Sequence, residues 1–454
     1  MSERTYDVVV IGAGPPGEVC AGRLADAGLE VAIVEEHFVG GECSFYGCMP
    51  SKALLRPGQI LAEARRVPGA TQAVGELDVP AALARRDWVI NDLDDSSQVP
   101  WLEAHDIDLV RGHGRLAGER TVQVGDETLV ARKAVVIATG TEPAIPPIPG
   151  LREAKPWTNR EAVTSKEVPD TLVVLGGGTV GVEMADAYAA FGSKVIVIEM
   201  GPRVLAREEP FAGEEVCAAF AEAGIEVRAD TSATAVSREN GKVTVELSDG
   251  SSVTGDEILV CVGRRILSAD LGVEHLGVEP GRPIEVDDTL RVPGHDWLYV
   301  IGDANGRVLL THMGKYQGRL VADRIMGKEL PLRSDGALSP RVTFTDPQVA
   351  AVGHTLASAQ EAGINARAVD VPTGGNAGGT FVGIGAPGTA RIVVDEDRRV
   401  IVGATFTGPE IGEALHAATI AVIGEVTLDD LWHAVPCFPT RSELWLKLLE
   451  EYGM

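Results

Sequence analysis

The sequence predicts an α/β protein with two domains built on parallel sheets and a C-terminal α+β domain. Three observations lead to this fold class. A glycine-rich turn joins the first strand-like run to a helical pattern, the same unit recurs in the middle of the chain, and from about residue 337 the pattern changes to short alternating runs. With 454 residues the chain is too long for one ordinary hydrophobic core, so several domains are expected.

The first unit begins in "YDVVVIGAGPPGEVCAGRLADAG", where Gly12, Gly14 and Gly17 have G-x-G-x-x-G spacing. The following run, "LEVAIVEE", carries Glu35 near its end. In this pattern the first glycine allows a tight turn, the second lets the backbone approach a pyrophosphate, and the third lets the helix pack on the strand. The acid hydrogen-bonds a ribose hydroxyl. The unit therefore predicts a dinucleotide site.

The second unit repeats this pattern. "DTLVVLGGGTVGVEMADAYAAFG" carries Gly176, Gly178 and Gly181, and "SKVIVIEM" carries Glu199. The acid follows the third glycine at the same distance in both units. Two accidental matches with one spacing would be improbable, so the chain is expected to hold two dinucleotides.

Further fragments set the expected domain boundaries. "KAVVIATG" predicts a strand that runs into Thr139 and Gly140 before a proline-rich connector, and "WLYVIGDANG" predicts one that ends at Gly302 and Asp303. An acid at the carboxyl end of a strand can hold a ribityl or ribose hydroxyl. The boundaries expected are 1–152 and 265–336 for the first nucleotide-binding domain, 153–264 for the second, and 337–454 for the C-terminal domain.

The C-terminal domain has a different pattern. "ARIVVDEDRRVIVGATFTG" alternates as antiparallel strands do, and "GEALHAATIAVIGEV" is helical. No nucleotide signature occurs there, so this domain is expected to be α+β with an antiparallel sheet.

Composition limits the function classes. The chain has 40 basic and 66 acidic residues, a net charge of −26, which disfavours nucleic acid and anionic membranes as partners. Neither a secretion signal nor an apolar run of about 18 residues is present, so a cytoplasmic protein without membrane insertion is expected.

The stretch "GGECSFYGCMPSK" contains Cys43 and Cys48, the one close pair among six cysteines. Such a pair could be a metal site, a structural disulfide or a redox pair. A zinc ribbon would need a second pair, which the sequence lacks, so no metal site is expected. In a reducing compartment a disulfide is more often catalytic than structural.

The order of these motifs resembles the flavoprotein disulfide reductases, which include dihydrolipoamide dehydrogenase, glutathione reductase and mercuric reductase. The match covers nearly the whole chain. It implies two Rossmann-like domains, with FAD on the first and NAD(P) on the second, and a C-terminal domain that forms a homodimer with active sites shared between the subunits. It also implies that electrons pass from NAD(P)H through FAD to a Cys43–Cys48 disulfide.

The resemblance assigns roles to individual residues. Cys48 would be the thiolate that faces the flavin, Cys43 would exchange with the substrate, and Lys52 would lie near the flavin and pair with Glu183. The implied FAD contacts are Gly12, Gly14, Pro16, Gly17, Glu35, Gly41, Lys52, Gly114, Ala138, Thr139, Gly140, Asp303, Leu310, Thr311 and His312. The implied nicotinamide-nucleotide contacts are Gly176, Gly178, Val180, Gly181, Glu199, Val262 and Gly263.

One position departs from the family pattern. These enzymes carry His-Pro-Thr and then Ser-Glu near the C-terminus, and the histidine serves as acid–base for dithiol exchange. This chain has "HAVPCFPTRSELW", with Phe438 in the histidine position and Glu443 kept. Phenylalanine can neither accept a proton nor stabilise a thiolate. Cys437 is interpreted as a small buried filler rather than a third reactive thiol, and His433 as a surface residue rather than a displaced base.

The expected function is therefore electron transfer from NAD(P)H through FAD and the Cys43–Cys48 pair to an acceptor that needs no histidine. Quinones, metal ions and other electrophiles meet this condition. The alternatives are a dihydrolipoamide dehydrogenase-like reductase, carbon–sulfur chemistry resembling that of ketopropyl-coenzyme M carboxylase, and a non-enzymatic flavin redox sensor. Glu199 favours NADH because it repels a 2′-phosphate, although Arg203 and Arg207 could offset this repulsion.

Overall fold

The computed structural model describes residues 2–454, with the side chain of His275 left out. Its strands are β1 Ser2–Ile11, β2 Val31–Glu35, β3 Ile107–Arg111, β4 Gly114–Gly118, β5 Thr121–Val124, β6 Glu127–Ile137, β7 Thr141–Pro143, β8 Thr171–Leu175, β9 Lys194–Ile198, β10 Glu226–Arg228, β11 Ala233–Glu239, β12 Lys242–Leu247, β13 Ser252–Gly255, β14 Glu257–Val260, β15 Arg264–Ile266, β16 Leu298–Val300, β17 Arg341–Thr343, β18 Gln348–Gly353, β19 Ala366–Pro372, β20 Thr389–Asp395 and β21 Val400–Gly408.

The α-helices are α1 Pro15–Asp26, α2 Gly41–Phe45, α3 Cys48–Arg66, α4 Val79–Val89, α5 Val99–Ala104, α6 Asn159–Thr164, α7 Thr179–Ala190, α8 Pro210–Glu222, α9 Thr311–Ile325, α10 Leu356–Glu361, α11 Ala377–Thr380, α12 Leu415–Gly424, α13 Leu428–Trp432 and α14 Glu443–Tyr452. Short 3₁₀ turns are formed by Thr71–Ala73, Asn91–Leu93, Asp95–Ser97, Val273–Leu276, Gly302–Asn305, Gly336–Leu338 and Ile411–Ala414.

The chain divides into two compact units, and the first comprises the residues up to Pro50, Asp87–Ala144 and Gly263–Gly336. Its main sheet has the order β3-β2-β1-β6-β5-β4, with β16 also on β6. β1 pairs in parallel with β2 on one side and β6 on the other, and its apolar residues are fully buried. The glycine turn therefore leaves the sheet at the carboxyl ends of parallel strands, where such sheets bind ligands.

The second unit comprises Ser51–Arg86, Ile145–Val262 and Ala337–Met454. Its parallel sheet has the order β10-β9-β8-β14, beside a smaller antiparallel sheet of β11-β12-β13. The C-terminal region forms a third sheet, β17-β18-β21-β20-β19, in which all neighbours are antiparallel. The predicted α/β class with a C-terminal α+β domain is thus confirmed, and the exact domain boundaries stay predictions.

Helix α12 packs on this antiparallel sheet with Leu415, Ala418 and Val422, which are buried. Its outward face is also largely apolar: Ala417 and Ile420 are exposed there, Ile420 to 58%, and His416 is the polar exception. A helix that is apolar on both faces indicates a surface that another chain covers. In the described part of the chain, no helix combines the length and the hydropathy that crossing a membrane needs.

Candidate active site

The first glycine turn has the geometry that a dinucleotide requires. Gly12 has a φ of +106°, and a Cβ there would lie 2.5 Å from the carbonyl oxygen of Ala138. A Cβ on Gly17 would lie 2.0 Å from the oxygen of Gly12, so only glycine lets α1 pack this closely. At Gly14 a Cβ would meet mostly open space, with the Cδ of Pro16 at 3.9 Å. The start of α1 therefore leaves room for a pyrophosphate.

Glu35 is fixed beside this turn at the end of β2. Its Oε2 accepts the backbone N–H of Ala13 over 2.7 Å, and its Oε1 accepts that of His37 over 2.8 Å. Burial raises the pKa of the Glu35 carboxyl, and the two backbone donors oppose this shift. The carboxylate is thus held where the ribose of a dinucleotide would need an acceptor, so these residues fit FAD.

The second glycine turn repeats the geometry of the first. Gly176 has a φ of +105°, and a Cβ on Gly181 would lie 1.9 Å from the oxygen of Gly176, whereas Gly178 again faces open space. The carboxylate of Glu199 accepts the backbone N–H groups of Gly177 and Gly201, each over 2.6 Å. These residues fit a second dinucleotide.

The surroundings of Glu199 bear on the choice of nicotinamide nucleotide. Arg203 donates from Nη2 to the carbonyl oxygens of Ala206 and Glu208, each over 3.3 Å, so its guanidinium binds its own loop. Arg207 is exposed. Val180 and Val262 flank the turn and are 41% and 49% exposed, as expected for residues against which a ligand packs.

Cys43 lies in the short helix α2, and Cys48 begins α3. The two side chains are within hydrogen-bonding distance, and this bond, with burial, raises the pKa of the Cys43 thiol. The Sγ of Cys48 also lies 3.4 Å from the Oγ1 of Thr311, the first residue of α9. Because the two thiols interact, the first proton lost leaves a single negative charge that belongs to the pair.

A row of hydrogen bonds through Thr141 and Arg264, which no sequence motif predicts, holds the carboxylate of Asp303. The Oγ1 of Thr141 donates to Asp303 Oδ2 over 2.7 Å and accepts from Arg264 Nε over 2.5 Å. Arg264 also donates to Glu42 Oε2 over 3.2 Å, so the row of hydrogen bonds extends to the residue before Cys43. Burial raises the pKa of Asp303, and the Thr141 bond opposes it. Pairing of β7 with β15 brings Thr141 and Arg264 together, and no local pattern predicts this contact.

Lys52 and Glu183 form an ion pair. Lys52 Nζ lies 2.7 Å from Glu183 Oε2, and Glu183 on α7 is only 3% exposed. Lys52 follows Cys48 by four residues in α3, so the two side chains share one face of that helix. The backbone N–H of Phe344 donates to the other oxygen of Glu183 over 3.0 Å, a contact that the sequence did not predict.

At the C-terminal motif, Phe438 is 76% exposed. Cys437 is also exposed, so the interpretation of this residue as a buried filler is wrong for this chain. Within residues 2–454 nothing donates a hydrogen bond to the buried Oε2 of Glu443. Thr440 donates from Oγ1 to the carbonyl oxygen of Cys437 over 2.6 Å, which makes this segment a tight turn. His433 is exposed just after α13, as predicted for a surface residue.

The remaining predicted contacts lie around the first turn and near the start of α9. A Cβ on Gly41 would lie 3.0 Å from the Cα of Gly14, and Gly114 packs against the side chains of Ile11 and Val34. Thr139 Oγ1 donates to the oxygen of Leu267 over 2.9 Å. Open space faces Gly140 and Gly263, and Leu310 and His312 lie beside Thr311. The described side chains include no cluster of His, Cys, Asp or Glu that could hold a metal ion.

Comparison with known proteins identifies the family. Residues 6–318 match the pyridine nucleotide-disulphide oxidoreductase model, and residues 339–448 match the dimerisation domain of the same family. The dihydrolipoyl dehydrogenase of Chlamydia muridarum is 32% identical over 451 residues, which cover 97% of this chain and 95% of the relative. The mercuric reductase of Staphylococcus aureus is 29% identical over 96% of this chain and 81% of its own.

Solved structures agree with this match. The Cu(II) complex of the HOCl-induced flavoprotein disulfide reductase RclA from Escherichia coli has a TM-score of 0.86 and 25% identity, covering 98% of this chain and 99% of that one. LpdA from Mycobacterium tuberculosis, at 24% identity, shares the fold with a TM-score of 0.87 over the full length of both chains.

The family consists of FAD-dependent oxidoreductases that use NAD(P)H. Its dimerisation domain supports self-association of this chain, in line with the apolar outer face of α12. The family matches span both nucleotide turns, the cysteine pair and the C-terminal sheet, so the chain belongs to the pyridine nucleotide-disulphide oxidoreductase family.

Proposed function

We propose that this protein transfers electrons from NADH to the Cys43–Cys48 pair, and from there to an acceptor whose reduction needs no histidine. FAD, when bound, would supply the two-electron chemistry that links the nucleotide to the disulfide. The hydride of NADH carries two electrons and one proton. Together they break the S–S bond and leave a thiolate on Cys48 and a thiol on Cys43. Glu35, Asp303 and the first glycine turn would hold FAD, and Glu199 and the second turn would hold NADH.

The contact between the two thiols carries this proposal. Their hydrogen bond raises the pKa of Cys43, so the two sulfurs share one proton once the other is lost. Thr311 beside Cys48 offers that sulfur a further hydrogen bond. Lys52, one helical turn further along α3, adds a positive charge on the same face. A pair of thiols with only a structural role would need neither Thr311 nor Lys52 beside it.

The C-terminal motif supports an acceptor other than a dithiol. A dithiol must lose protons as it reduces or exchanges with the pair, and Phe438 offers no group that accepts them. Reduction of two one-electron metal ions reforms the disulfide and releases the thiol proton without a proton donor. A quinone takes the thiol proton and a second proton from solvent. Two relatives fit this class, since one is a mercuric reductase and another was solved as a Cu(II) complex.

Dihydrolipoamide oxidation is the second candidate, because the dihydrolipoyl dehydrogenase of Chlamydia muridarum is similar over nearly the full chain. This reaction would need a base at another position, because Phe438 cannot accept a proton. Glu443 remains in place, but its buried Oε2 has no donor among the described residues. The first function is therefore favoured.

An anaerobic titration with NADH and then NADPH, followed by visible absorbance, tests the proposal. A long-wavelength charge-transfer band on two-electron reduction is expected, since a Cys48 thiolate would lie beside oxidised flavin. NADH is expected to produce the band at lower concentration than NADPH, because Arg203 binds its own loop and Glu199 repels a 2′-phosphate. Direct bleaching to reduced flavin, without the band, would contradict the cysteine relay.

A further inference from the structure

The Lys52–Glu183 pair is held by a segment that the proposed function does not use. Phe344, just after β17, donates its backbone N–H to Glu183 Oε1 over 3.0 Å. Its ring centroid lies 4.7 Å from Lys52 Nζ, within the range of a cation–π contact. Phe344 therefore contacts both members of the pair. Because Glu183 is almost fully buried, its carboxylate depends on Lys52 and this backbone donor for compensation.

A second carboxylate on α7 fixes the other end of this segment. Asp186 lies three residues after Glu183, which places both acids on one face of the helix. Its Oδ2 accepts the backbone N–H of Asp346 over 3.1 Å. Two acids of one helix thus bind two alternate amides, those of Phe344 and Asp346, and fix the segment in register with α7.

Helix α3 binds the same segment from its own side. Gln59 donates from Nε2 to the carbonyl oxygen of Phe344 over 2.6 Å, and Arg66 forms an ion pair with the carboxylate of Asp346. Lys52, Gln59 and Arg66 all belong to α3. Residues 344–346 therefore join α3 to α7, and Lys52 is one of the points at which they are joined.

Asp186 brings a titratable charge into this assembly. Burial raises its pKa to about 7, with a further rise from Asp346 and Glu183, while the Asp346 backbone bond and Arg66 lower it. The charged groups that face Asp186 are Glu183 on its own helix, Asp346 on the segment and Arg66 on α3. Two of the three are acids, so ionisation of Asp186 adds to an excess of negative charge beside Glu183, the ion-pair partner of Lys52.

We propose that Phe344 and Asp186 are positioning residues for the Lys52–Glu183 pair: Phe344 fixes its geometry, and Asp186 sets the charge around Lys52. The inference rests on the proposed function, in which the ammonium of Lys52 stabilises the Cys48 thiolate one helical turn away. When Asp186 is neutral, no nearby charge of Asp186 weakens the electrostatic attraction between that ammonium and the thiolate. When Asp186 is ionised, its charge holds Lys52 protonated but offsets the attraction that Cys48 experiences.

Competitive labelling of lysines with acetic anhydride, quantified by mass spectrometry, tests the electrostatic part on the holoprotein. Labelling follows the deprotonated fraction of each lysine, so a series over pH gives the pKa of Lys52. In Asp186→Asn the amide still accepts the Asp346 N–H but carries no charge. We expect Lys52 labelling near pH 8 to rise about threefold or more. This is the increase in deprotonated lysine that results when the pKa of Lys52 falls by about half a unit. Lys447, paired with Glu450 on α14, is the internal reference and should not change.

Phe344→Leu tests the geometric part, because it keeps the backbone donor and removes the ring. Lys52 labelling is expected to rise in this variant as well, owing to the lost cation–π contact. Asp186→Ala removes both the charge and the acceptor, and should raise labelling at least as much as Asp186→Asn. Unchanged Lys52 labelling in Asp186→Asn would overturn the electrostatic role, and unchanged labelling in Phe344→Leu would overturn the role of the ring.

Thermal unfolding tests the titration of Asp186 independently. A carboxyl whose pKa is raised on folding favours the folded state at low pH and loses that contribution as the pH rises through its folded value. The melting temperature of the wild type relative to Asp186→Asn should therefore fall between about pH 6 and about pH 8. Parallel curves would overturn the proposal. Neither readout uses turnover, so the two failures are distinguishable: an inactive cysteine relay contradicts the proposed function, whereas unchanged labelling and parallel melting curves contradict the positioning of the Lys52–Glu183 pair.

Discussion

Cys43 and Cys48 have different surroundings, and single substitutions should separate their roles. In Cys43→Ser the remaining thiol keeps its neighbour Thr311 and the charge of Lys52, so it should ionise without a partner. We expect FAD to stay bound, a charge-transfer band to be present before any reduction, and turnover through the disulfide to fall to the uncatalysed level. Visible spectra and steady-state assays with a quinone and with Cu(II) measure these effects.

Cys48→Ser is the matched control for Cys43→Ser. It should lose the charge-transfer band and disulfide-linked turnover together while retaining FAD. If quinone reduction proceeds at the wild-type rate in both variants, electrons leave from the flavin itself, and the cysteines are not the relay for that acceptor.

Phe438→His tests the missing base. A histidine at this position could accept a thiol proton, and the chain keeps Glu443, which the resemblance assigns to orient that histidine. General acid–base help is worth about 10²–10⁴-fold, so dihydrolipoamide oxidation should increase by at least about 10²-fold. The pH–rate profile should then show an ionisation near that of imidazole. Phe438→Gln supplies a polar side chain without a proton acceptor and should give no such gain. If both variants gain equally, the effect is one of polarity and not of a base.

At the residue scale, the sequence predicted the groups that belong to a local motif. Both glycine turns, the acids that follow them and the cysteine pair are encoded within a few dozen residues, so spacing alone identifies them. Thr141, Arg264 and Phe344 could not be found in this way. Each reaches its partner through strand pairing or helix packing between distant parts of the chain, as β7 and β15 show.

At the level of elements, parallel strands and the helices after them were predictable because apolar runs and glycine turns alternate along the chain. Which strands pair with one another was harder to predict from the sequence. Strands β11, β12 and β13 form an antiparallel sheet of their own within the second unit, although they follow directly on a parallel βαβ pattern. Residues 51–86, which continue the helix of the cysteine motif, fold with the second unit and not with the first. Such groupings depend on packing and not on local sequence.

Helix α1 leads to a prediction about FAD binding. Glu18 lies in its first turn, where burial raises the pKa to about 7, Lys315 opposes the shift and Glu35 adds to it. Above that pH an ionised Glu18 would repel the pyrophosphate at the helix start, and below it the neutral acid would not. FAD release, measured by flavin fluorescence after dialysis, should therefore increase from about pH 6 to about pH 8 in the wild type.

Glu18→Gln should make FAD release nearly independent of pH over this range. Asp26→Asn, at the exposed end of the same helix, is the control and should behave as the wild type does. An equal rise in release for wild type and Glu18→Gln would mean that another group governs FAD retention.

For the whole molecule, the family match and the apolar outer face of α12 both point to self-association. The net charge of −26 works against it, because two copies repel each other through the solvent. Added salt screens this repulsion, with a Debye length of about 8 Å at physiological ionic strength. An association driven by apolar contact should therefore become tighter as the salt concentration rises, whereas one driven by ion pairs would weaken.

Ile420→Arg tests whether α12 is the contact. This side chain is exposed on the apolar outer face, so an arginine there would place an unpaired charge in a buried interface and should shift dimer towards monomer. Sedimentation velocity at several salt concentrations measures the shift. Gln360→Arg, on the exposed side of α10, adds the same charge elsewhere and should leave the dimer intact.

The resemblance to disulfide reductases adds a functional consequence, because their active sites take residues from both subunits. The monomeric Ile420→Arg protein should retain FAD, since the first glycine turn and Glu35 lie within one chain, and should lose turnover with acceptors that meet the segment around Phe438. A monomer with full activity towards every acceptor would show that each chain carries a complete site. In that case Phe438 would have no part in the reaction, and its replacement of histidine would not explain the choice of acceptor.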